Sequence, residues 1–560
     1  MSTITTTMSP IPLLKHRNTV VTLADQNEFV TKYEATNNHL SNNTVVEVNA
    51  ICDEIDIVAS EINVMNSETN ANKNDTLDYK NTALVYRDEA IQAKQAIDSY
   101  VVPTSATYTF EQTDALLADK SDKLDTYTKD AINTFLEDKA DKDTTYTKDE
   151  VNDMTGNNPL AYLLGQPGEL GFGVATATAE QYMSVGCIPL NGHNIIGDDN
   201  YGNYMHASSG AILCWIPKHY FKITGNTFEY SDTPTTGYVI DRSFINGGVE
   251  ISGVMVAKYP MTNNNGIVSA QAGQDPMSTD SAHNPISQLN GTPSNTFGGL
   301  YQAVKTMDAL AVLTPNWVYS MLFYMAKAHG EASITTNECA YIDVDPKMPK
   351  GNLNSALSDV DDTSVTFEAS GYENCALTGS GRPFAKTTHN GQNCGIADLN
   401  GNMRETASGF IRTDAQGFLI LKESVDIRDI LTDDITQGGG GAYDIDLYDV
   451  VDISDVVSAN DGWTYLGNAT NQVFAFSTDR TNISYKRTAL GIPTLTGHSV
   501  SGTTEFGNDG VYRYLRNEMA CLRGGNWSYV GHAGLGAMIL SHYRTSSAYT
   551  VVGRASLIVA

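Results

Sequence analysis

Apolar positions follow three different periods along the chain. From Thr44 they recur in alternating steps of four and three: Thr44, Val48, Ile51, Ile55, Val58, Ile62, Met65, Thr69, Asn72, Thr76, Tyr79, Ala83, Tyr86, Ala90, Ala93, Ile97 and Tyr100. The six from Val48 to Met65 are all apolar, and neither Pro nor Gly interrupts the run. This is a heptad seam, about 85 Å long if wholly helical. β-Branched residues at both seam positions favour three strands over two, and the polar centre at Thr69, Asn72 and Thr76 would fix register at some cost in packing. A long amphipathic helix docked on a globular domain is the alternative, but the flanking positions are almost wholly polar and leave a narrow stripe. Residues 41–102 are therefore expected to form a trimeric α-helical coiled coil. Residues 1–40, with short apolar patches at Ile11-Pro12-Leu13-Leu14 and Val20-Val21, are expected to be an attachment segment.

After Pro103 the period changes to nineteen residues, with units starting at Tyr108, Tyr127 and Tyr146. Thr109 with Gln112, and Thr147 with Glu150, have the spacing of a capping box, so each unit is expected to open a short helix. Leu116-Leu117 and Phe135-Leu136 supply faces that such helices cannot bury alone, which again implies association of copies. A flexible charged linker is the alternative for 103–157.

Near Asn157-Asn158-Pro159 charge thins while Gly and aromatics rise. Short alternating strands follow at Ala211 to Ile216, Lys218 to Phe221, Gly237 to Ile240 and Val249 to Tyr259. One helix is expected from about Pro315 to His329, with Thr314 as N-cap, Pro315 at the first helical position and Gly330 just past the end. Trp317, Met321, Tyr324 and Met325 share one face of it and read as core. An acidic stretch near 413–460 carries Asp426, Asp429, Asp433, Asp434, Asp444, Asp446, Asp449 and Asp452 around Gln437 and four glycines, and reads as an insertion. Such density invites calcium, yet no D-x-D-x-D-G loop is present and acidic loops are commonly just solvated. No metal ligands or cofactor are assigned, calcium remaining the one ion considered. The fold class expected is α+β: a coiled-coil stalk followed by a large β-rich domain over 158–560.

Against 35 basic residues stand 65 acidic ones, a net charge of −30, which repels phosphate backbones and anionic membrane surfaces and argues against nucleic acid as a partner. The seven cysteines are scattered, with no C-x-x-C pair, so neither a disulfide framework nor a zinc site is written in their spacing. The opening residues have no basic region leading into a long apolar core, and no apolar run approaches about 18 residues. Neither secretion by a signal peptide nor membrane insertion is expected.

The last forty residues, Cys521 to Ala560, concentrate Trp527, Tyr529, His532, His542, Tyr543, Arg544 and Tyr549 between Gly and Ser, after a hard turn at Gly524-Gly525. Aromatic and Arg anchors on adaptable loops make a paratope-like surface. Trp527, directly after the turn, suits a core as well as a surface. His542-Tyr543-Arg544 cannot all face one interior if they lie in a strand.

Arg523-Gly524-Gly525-x-Trp527, then Ala533-Gly534, Ala537 and a closing Gly553-Arg554, resemble the end of the formylglycine-generating-enzyme branch of the C-type lectin fold, though without the Phe that usually precedes the closing Arg. Asp398-Leu399-x-Gly401-Asn402 with Glu405 resembles a second signature of that branch, in the same order. Gly401 and Asn402 suit a tight turn, and Glu405 is expected to anchor a loop by accepting backbone hydrogen bonds. The phrases WIPKHYFKI and GGVEISGVMVAKYP resemble its opening strands, which in that branch form the sheet pairing the domain's two ends. The branch includes phage receptor-binding proteins, some of them tropism determinants diversified by retroelements. The 103–157 repeats resemble those of phage tail-fibre stalks.

The resemblance implies a phage tail fibre, a homotrimer held to a virion tail or baseplate protein through its amino-terminal segment. It would be assembled in the host cytoplasm and carried on the virion. The lectin-like tip would bind a host cell-surface receptor, protein or glycan, through Asn526, Trp527, Tyr529, His532, Ser541, His542, Tyr543, Arg544 and Tyr549. An oxidase of the same branch is expected to use two nearby late cysteines, whereas Cys521 is alone after Cys394. A glycan-cleaving tailspike would need a paired-carboxylate site, and no spacing selects a pair. No catalytic residues are assigned, and recognition without catalysis is the expected role.

Overall fold

A computed structural model describes residues 162–559, apart from 334–338, 341–363, 368–374, 382–386, 432–442, 458–461, 468–471, 500–505, 507–508 and 529–533. By internal contacts the chain divides into Met1–Asp143 and Thr144–Ala560, and the description concerns the second unit. The expected attachment segment, coiled coil and period-nineteen repeats lie outside the described residues.

The described part is mostly β, with four α-helices. Strands β1 (Cys187–Pro189), β2 (Asn203–His206), β3 (Ile212–Pro217), β4 (Gly253–Ala257) and β5 (Ala311–Leu313) come before the longest helix. After it come β6 (Arg404–Ala407), β7 (Gly462–Leu466), β8 (His498–Ser499), β9 (Gly510–Arg513) and β10 (Met519–Arg523). The last three are β11 (Met538–Tyr543), β12 (Val551–Gly553) and β13 (Ala555–Val559). The helices are α1 (Ala179–Ser184), α2 (Leu300–Lys305), α3 (Asn316–Ala332) and α4 (Ile483–Ala489).

Two sheets carry the architecture. The first is antiparallel throughout, in the order β1-β2-β3-β4-β13-β5. The second runs β8-β7-β9-β11-β10-β6-β12, with parallel pairs at β9–β11 and β6–β12. In the first sheet the closing strand β13 lies between β4 and β5, pairing Leu557 with Met255 and with Ala311. The last strand thus lies beside an early one, as the resemblance implied. Every residue of β4 and β13 is buried, which is why both read as unbroken apolar runs.

Helix α3 is buried on all sides from Asn316 to Gly330, and its face of Trp317, Met321, Tyr324 and Met325 is core, as its period indicates. Its ends differ from the expectation. Pro315 is the N-cap and Gly330 lies inside the helix, which continues to Ala332. Thr314 cannot cap because its hydroxyl is committed to the sheet, donating to the Arg554 carbonyl at 2.9 Å and meeting Ser556 Oγ at 2.9 Å. Tyr324 stacks on Phe228 at 4.5 Å and meets Phe474 edge-on at 5.0 Å, tying the helix to neighbouring segments. Gly409 sits at φ +78°, where a Cβ would meet the Trp317 ring at 2.4 Å, so only glycine lets the chain leave β6 beneath the helix.

Two signatures far apart in sequence meet at the passage between the sheets. Arg554 separates β12 from β13 and is fully buried. Its Nε donates to Glu405 Oε2 at 2.8 Å and its Nη2 to Glu405 Oε1 at 2.7 Å. Nη1 donates to the Ala257 and Lys258 carbonyls at 2.8 and 2.9 Å, and Nη2 also to the Ala397 carbonyl at 2.8 Å. The guanidinium therefore spends its whole donor set inside the protein. Glu405 takes a third donor, the Tyr319 hydroxyl from α3, at 2.7 Å. The expectation that Glu405 accepts backbone bonds is thus corrected. A charged partner within reach supplies a stronger, bidentate bond than an amide can.

The turn ahead of Glu405 is as tight as expected, with Gly401 at φ +74° and Asn402 at φ +57°. Asn402 grips the Ala376 backbone, accepting from its N–H at 2.8 Å and donating to its carbonyl at 2.9 Å.

Candidate functional site

The turn at Gly524 (φ +69°) leads from β10 into the stretch where the site residues were expected. Asn526 is buried and closes a local turn, its Oδ1 accepting from Ser528 N–H at 3.1 Å and Ser528 Oγ at 2.8 Å. Trp527 is also buried, its N–H donating to the Asn402 carbonyl at 3.1 Å. Its ring lies beneath Tyr549, stacked at 5.9 Å, while Tyr549 itself is 42% exposed. Trp527 therefore supports the surface from below. Tyr529 and His532 lie outside the described residues.

Ser541, His542, Tyr543 and Arg544 part company at the end of β11. A register shift between Ala520 and Leu522 places His542 opposite Ala520, whereas Ile539 stands opposite Leu522. Such a bulge re-aims the side chains beyond it. His542 turns toward Phe297, with ring centroids 5.7 Å apart. Burial, reinforced by Arg404 and Arg516, pushes its pKa down to about 4, so the ring is neutral at ordinary pH. Tyr543 is 44% exposed. Arg544 is buried, pairs with Glu518 at 3.0 Å and lies over the Tyr443 ring at 4.9 Å. Ser541 is half-buried.

Around Tyr543 the structure assembles residues that sequence reading did not single out. Arg516 lies over the Tyr514 ring at 4.0 Å and the Tyr543 ring at 4.6 Å. Its Nη1 donates to the Tyr543 hydroxyl at 3.1 Å and its Nε to the Ser541 carbonyl at 2.8 Å. On adjacent strands Trp463 stacks with Tyr465 at 6.2 Å and meets Tyr512 edge-on at 5.2 Å. These rings are half-buried, which leaves part of each available to a partner. A signal existed in Tyr512, Tyr514 and Arg516, aromatic and Arg residues recurring at every second position, the period of a strand.

The loop from Tyr543 to Tyr549 is held by a distant segment. Phe297 N–H donates to the Ser546 carbonyl at 2.9 Å and Gly298 N–H to that of Arg544 at 2.7 Å. Thr279 Oγ1 both donates to the Ala548 carbonyl and accepts from the Ala548 N–H, each at 3.0 Å. A loop so fixed presents Tyr543 and Tyr549 with little ordering entropy left to lose on binding.

Sequence comparison finds no matching family model and no matching curated protein. Among solved structures the chain is similar to the Major Tropism Determinant U1 variant, at 10% identity and a TM-score of 0.22, over 71% of this chain and 97% of that one. It is similar also to the I1 variant, at 9% identity and a TM-score of 0.22, over 71% and 96%.

Other candidate chemistry finds less support in the geometry. Cys521 is fully buried, donates to Asn316 Oδ1 at 3.4 Å, and is pushed up to about 12 by burial, so its thiol stays protonated. In the acidic stretch Asp426 pairs with Arg428, which holds its carboxyl at about 2 against the opposing effect of burial. Asp449 pairs with Lys486 at 2.9 Å and Asp452 accepts from Ser454 Oγ at 2.7 Å. Among the described residues none of these acids joins a group of three possible metal ligands. No described helix is long and apolar enough to cross a membrane.

Proposed function

We propose that this chain is a phage tail-fibre protein that attaches the virion to a host cell-surface receptor through its carboxy-terminal lectin-like domain. The observation that carries this reading is the exposed Tyr543, clamped by Arg516, which also lies over the Tyr514 ring, on a loop fixed from behind. Tyr and Arg are the residues that most often dominate binding energy, and a preformed surface loses less entropy on docking. Support also comes from the two lectin-branch signatures, whose residues make mutual contacts: Glu405 with Arg554, and Asn402 with Trp527.

In this reading the surface consists of Tyr543 and Tyr549 with Ser541 and the edge of His542, joined by Arg516, Tyr514, Trp463, Tyr465 and Tyr512. Tyr529 and His532 belong to the same stretch of chain and complete the proposed set. Asn526, Trp527 and Arg544 shape the surface from beneath. Residues 41–102 and 103–157 form the trimeric stalk, and residues 1–40 join it to a tail or baseplate protein. Three tips on one stalk multiply a modest affinity through effective concentration.

The test is adsorption to host cells by Tyr543→Ala and Arg516→Ala fibres, with thermal unfolding measured alongside. Each variant is expected to lose about tenfold or more in affinity while unfolding as the wild type does. Normal adsorption by both folded variants would remove this surface from consideration.

A further inference from the structure

Beside the fixed loop lies a polar cavity of about 360 Å³, lined by Asn263, Gln274, Asp275, His283, Asn284 and Gln288 among others. At its wall Asp275, His283 and Cys375 bring one donor atom each to within 4.8 Å of one another. We propose that these three side chains form a zinc site, with the fourth position open to water from the cavity.

The residue types select the ion. A carboxylate, an imidazole and a thiol suit zinc, whereas calcium and magnesium require oxygen ligands throughout. The spacing fits as well. Bonds of about 2.0 to 2.3 Å at tetrahedral angles place ligand atoms roughly 3.3 to 3.6 Å apart. His283 Nε2 and Asp275 Oδ1 already stand 3.0 Å apart, and the sulfur needs to move in by roughly 1.2 to 1.5 Å at most.

The surroundings orient these ligands. His283 Nε2 hydrogen-bonds Asp275 Oδ1 at 3.0 Å and Nδ1 faces the Tyr549 carbonyl at 3.5 Å, so an ion taking the place of the Nε2 proton would find the ring proton held at Nδ1. Asn284, at φ +36°, donates to the Asp275 carbonyl at 2.8 Å, and Ser278 Oγ donates to the His283 carbonyl, fixing the loop that carries both. Cys375 is fully buried and its sulfur lies 3.7 Å from Met403 Sδ, a soft lining for a thiolate–metal bond. On binding, Cys375 Sγ–H gives up its proton to solvent and the sulfur bonds to Zn²⁺, with no change of oxidation state. The ion would join the 275–283 loop to Cys375 and, through His283, hold the backbone of Tyr549. This inference rests on its own ligands and stands or falls apart from the receptor reading.

The full chain, purified and stripped with a chelator, is titrated with Zn²⁺ and separately with Co²⁺. One Zn²⁺ per chain, a rise in melting temperature and a thiolate-to-cobalt absorption band are expected. Cys375→Ser should abolish the band, and His283→Gln should weaken Zn²⁺ by more than the roughly 10–100-fold that loss of an outer-shell partner costs. Asp275→Asn, at a partly exposed position, keeps the test open should the two buried variants fail to fold, and is expected to weaken Zn²⁺ likewise. A folded wild type that binds no Zn²⁺ would leave an Asp–His ion pair only and overturn the proposal. So would Zn²⁺ binding unchanged in Asp275→Asn and in whichever of the other variants fold.

Discussion

Arg554 and Glu405 show what a single pair can decide. Both are almost completely removed from water, and their two-pronged bond closes the passage between the two sheets. Taking such charges out of water is costly, and the arrangement holds because every donor on the guanidinium finds an acceptor. Breaking the pair from one side leaves the other charge stranded. Arg554→Met or Glu405→Gln is expected to cost about 3–5 kcal/mol of folding stability. The double variant should cost clearly less than the sum of the two, since no lone charge remains. Urea unfolding of the four proteins measures the coupling, and strict additivity would contradict the account. The importance of both residues was legible in the signatures they close. That Glu405 holds an arginine rather than a loop backbone was not, because 149 residues separate the partners and nothing local distinguishes the two uses.

At the scale of elements, the bulge between β10 and β11 sets the character of the candidate surface. Regular alternation would carry His542 and Ile539 to opposite faces, but the shifted register turns His542 toward Phe297. There its pKa falls to about 4, against an ordinary value near 6.5. The unfolded chain therefore takes up a proton below about pH 6.5 that the folded chain refuses until about pH 4. This group's contribution to stability is present at neutral pH and is lost as pH falls through that window. Wild type compared with His542→Gln should lose part of its relative stability between about pH 7 and about pH 5, read from urea midpoints at each. A difference that does not change with pH would mean that the ring is not held neutral. Helix α3 gives the complementary lesson. Its existence and buried face followed from its period, but its ends did not, because Thr314 answers to β13 and not to the helix.

For the whole molecule, one polypeptide combines a seam-patterned segment, a repeat of period nineteen and a β-rich domain with a net acidic chain. If the seam forms the proposed coiled coil, its apolar stripe needs partners of its own kind. The intact protein is expected to have the mass of three chains, and light scattering on the full polypeptide decides it. A monomeric mass would end the stalk reading and, with it, the gain from three tips.

The periods of its apolar residues, by themselves, determined that this chain has a β-rich carboxy-terminal domain with a buried central helix. They also place Tyr543 and Tyr549 in a Gly- and Ser-spaced stretch suited to a surface. Local pattern carries such information because strands and helices bury faces at fixed intervals. Only tertiary structure decided which aromatics face outward. Trp527 went beneath Tyr549, Arg544 went inward to Glu518, and Arg516 came from a neighbouring segment to clamp Tyr543. The meeting of Asp275, His283 and Cys375 is of the same kind, because segments about a hundred residues apart converge there through sheet pairing and loop closure that no spacing in the chain records.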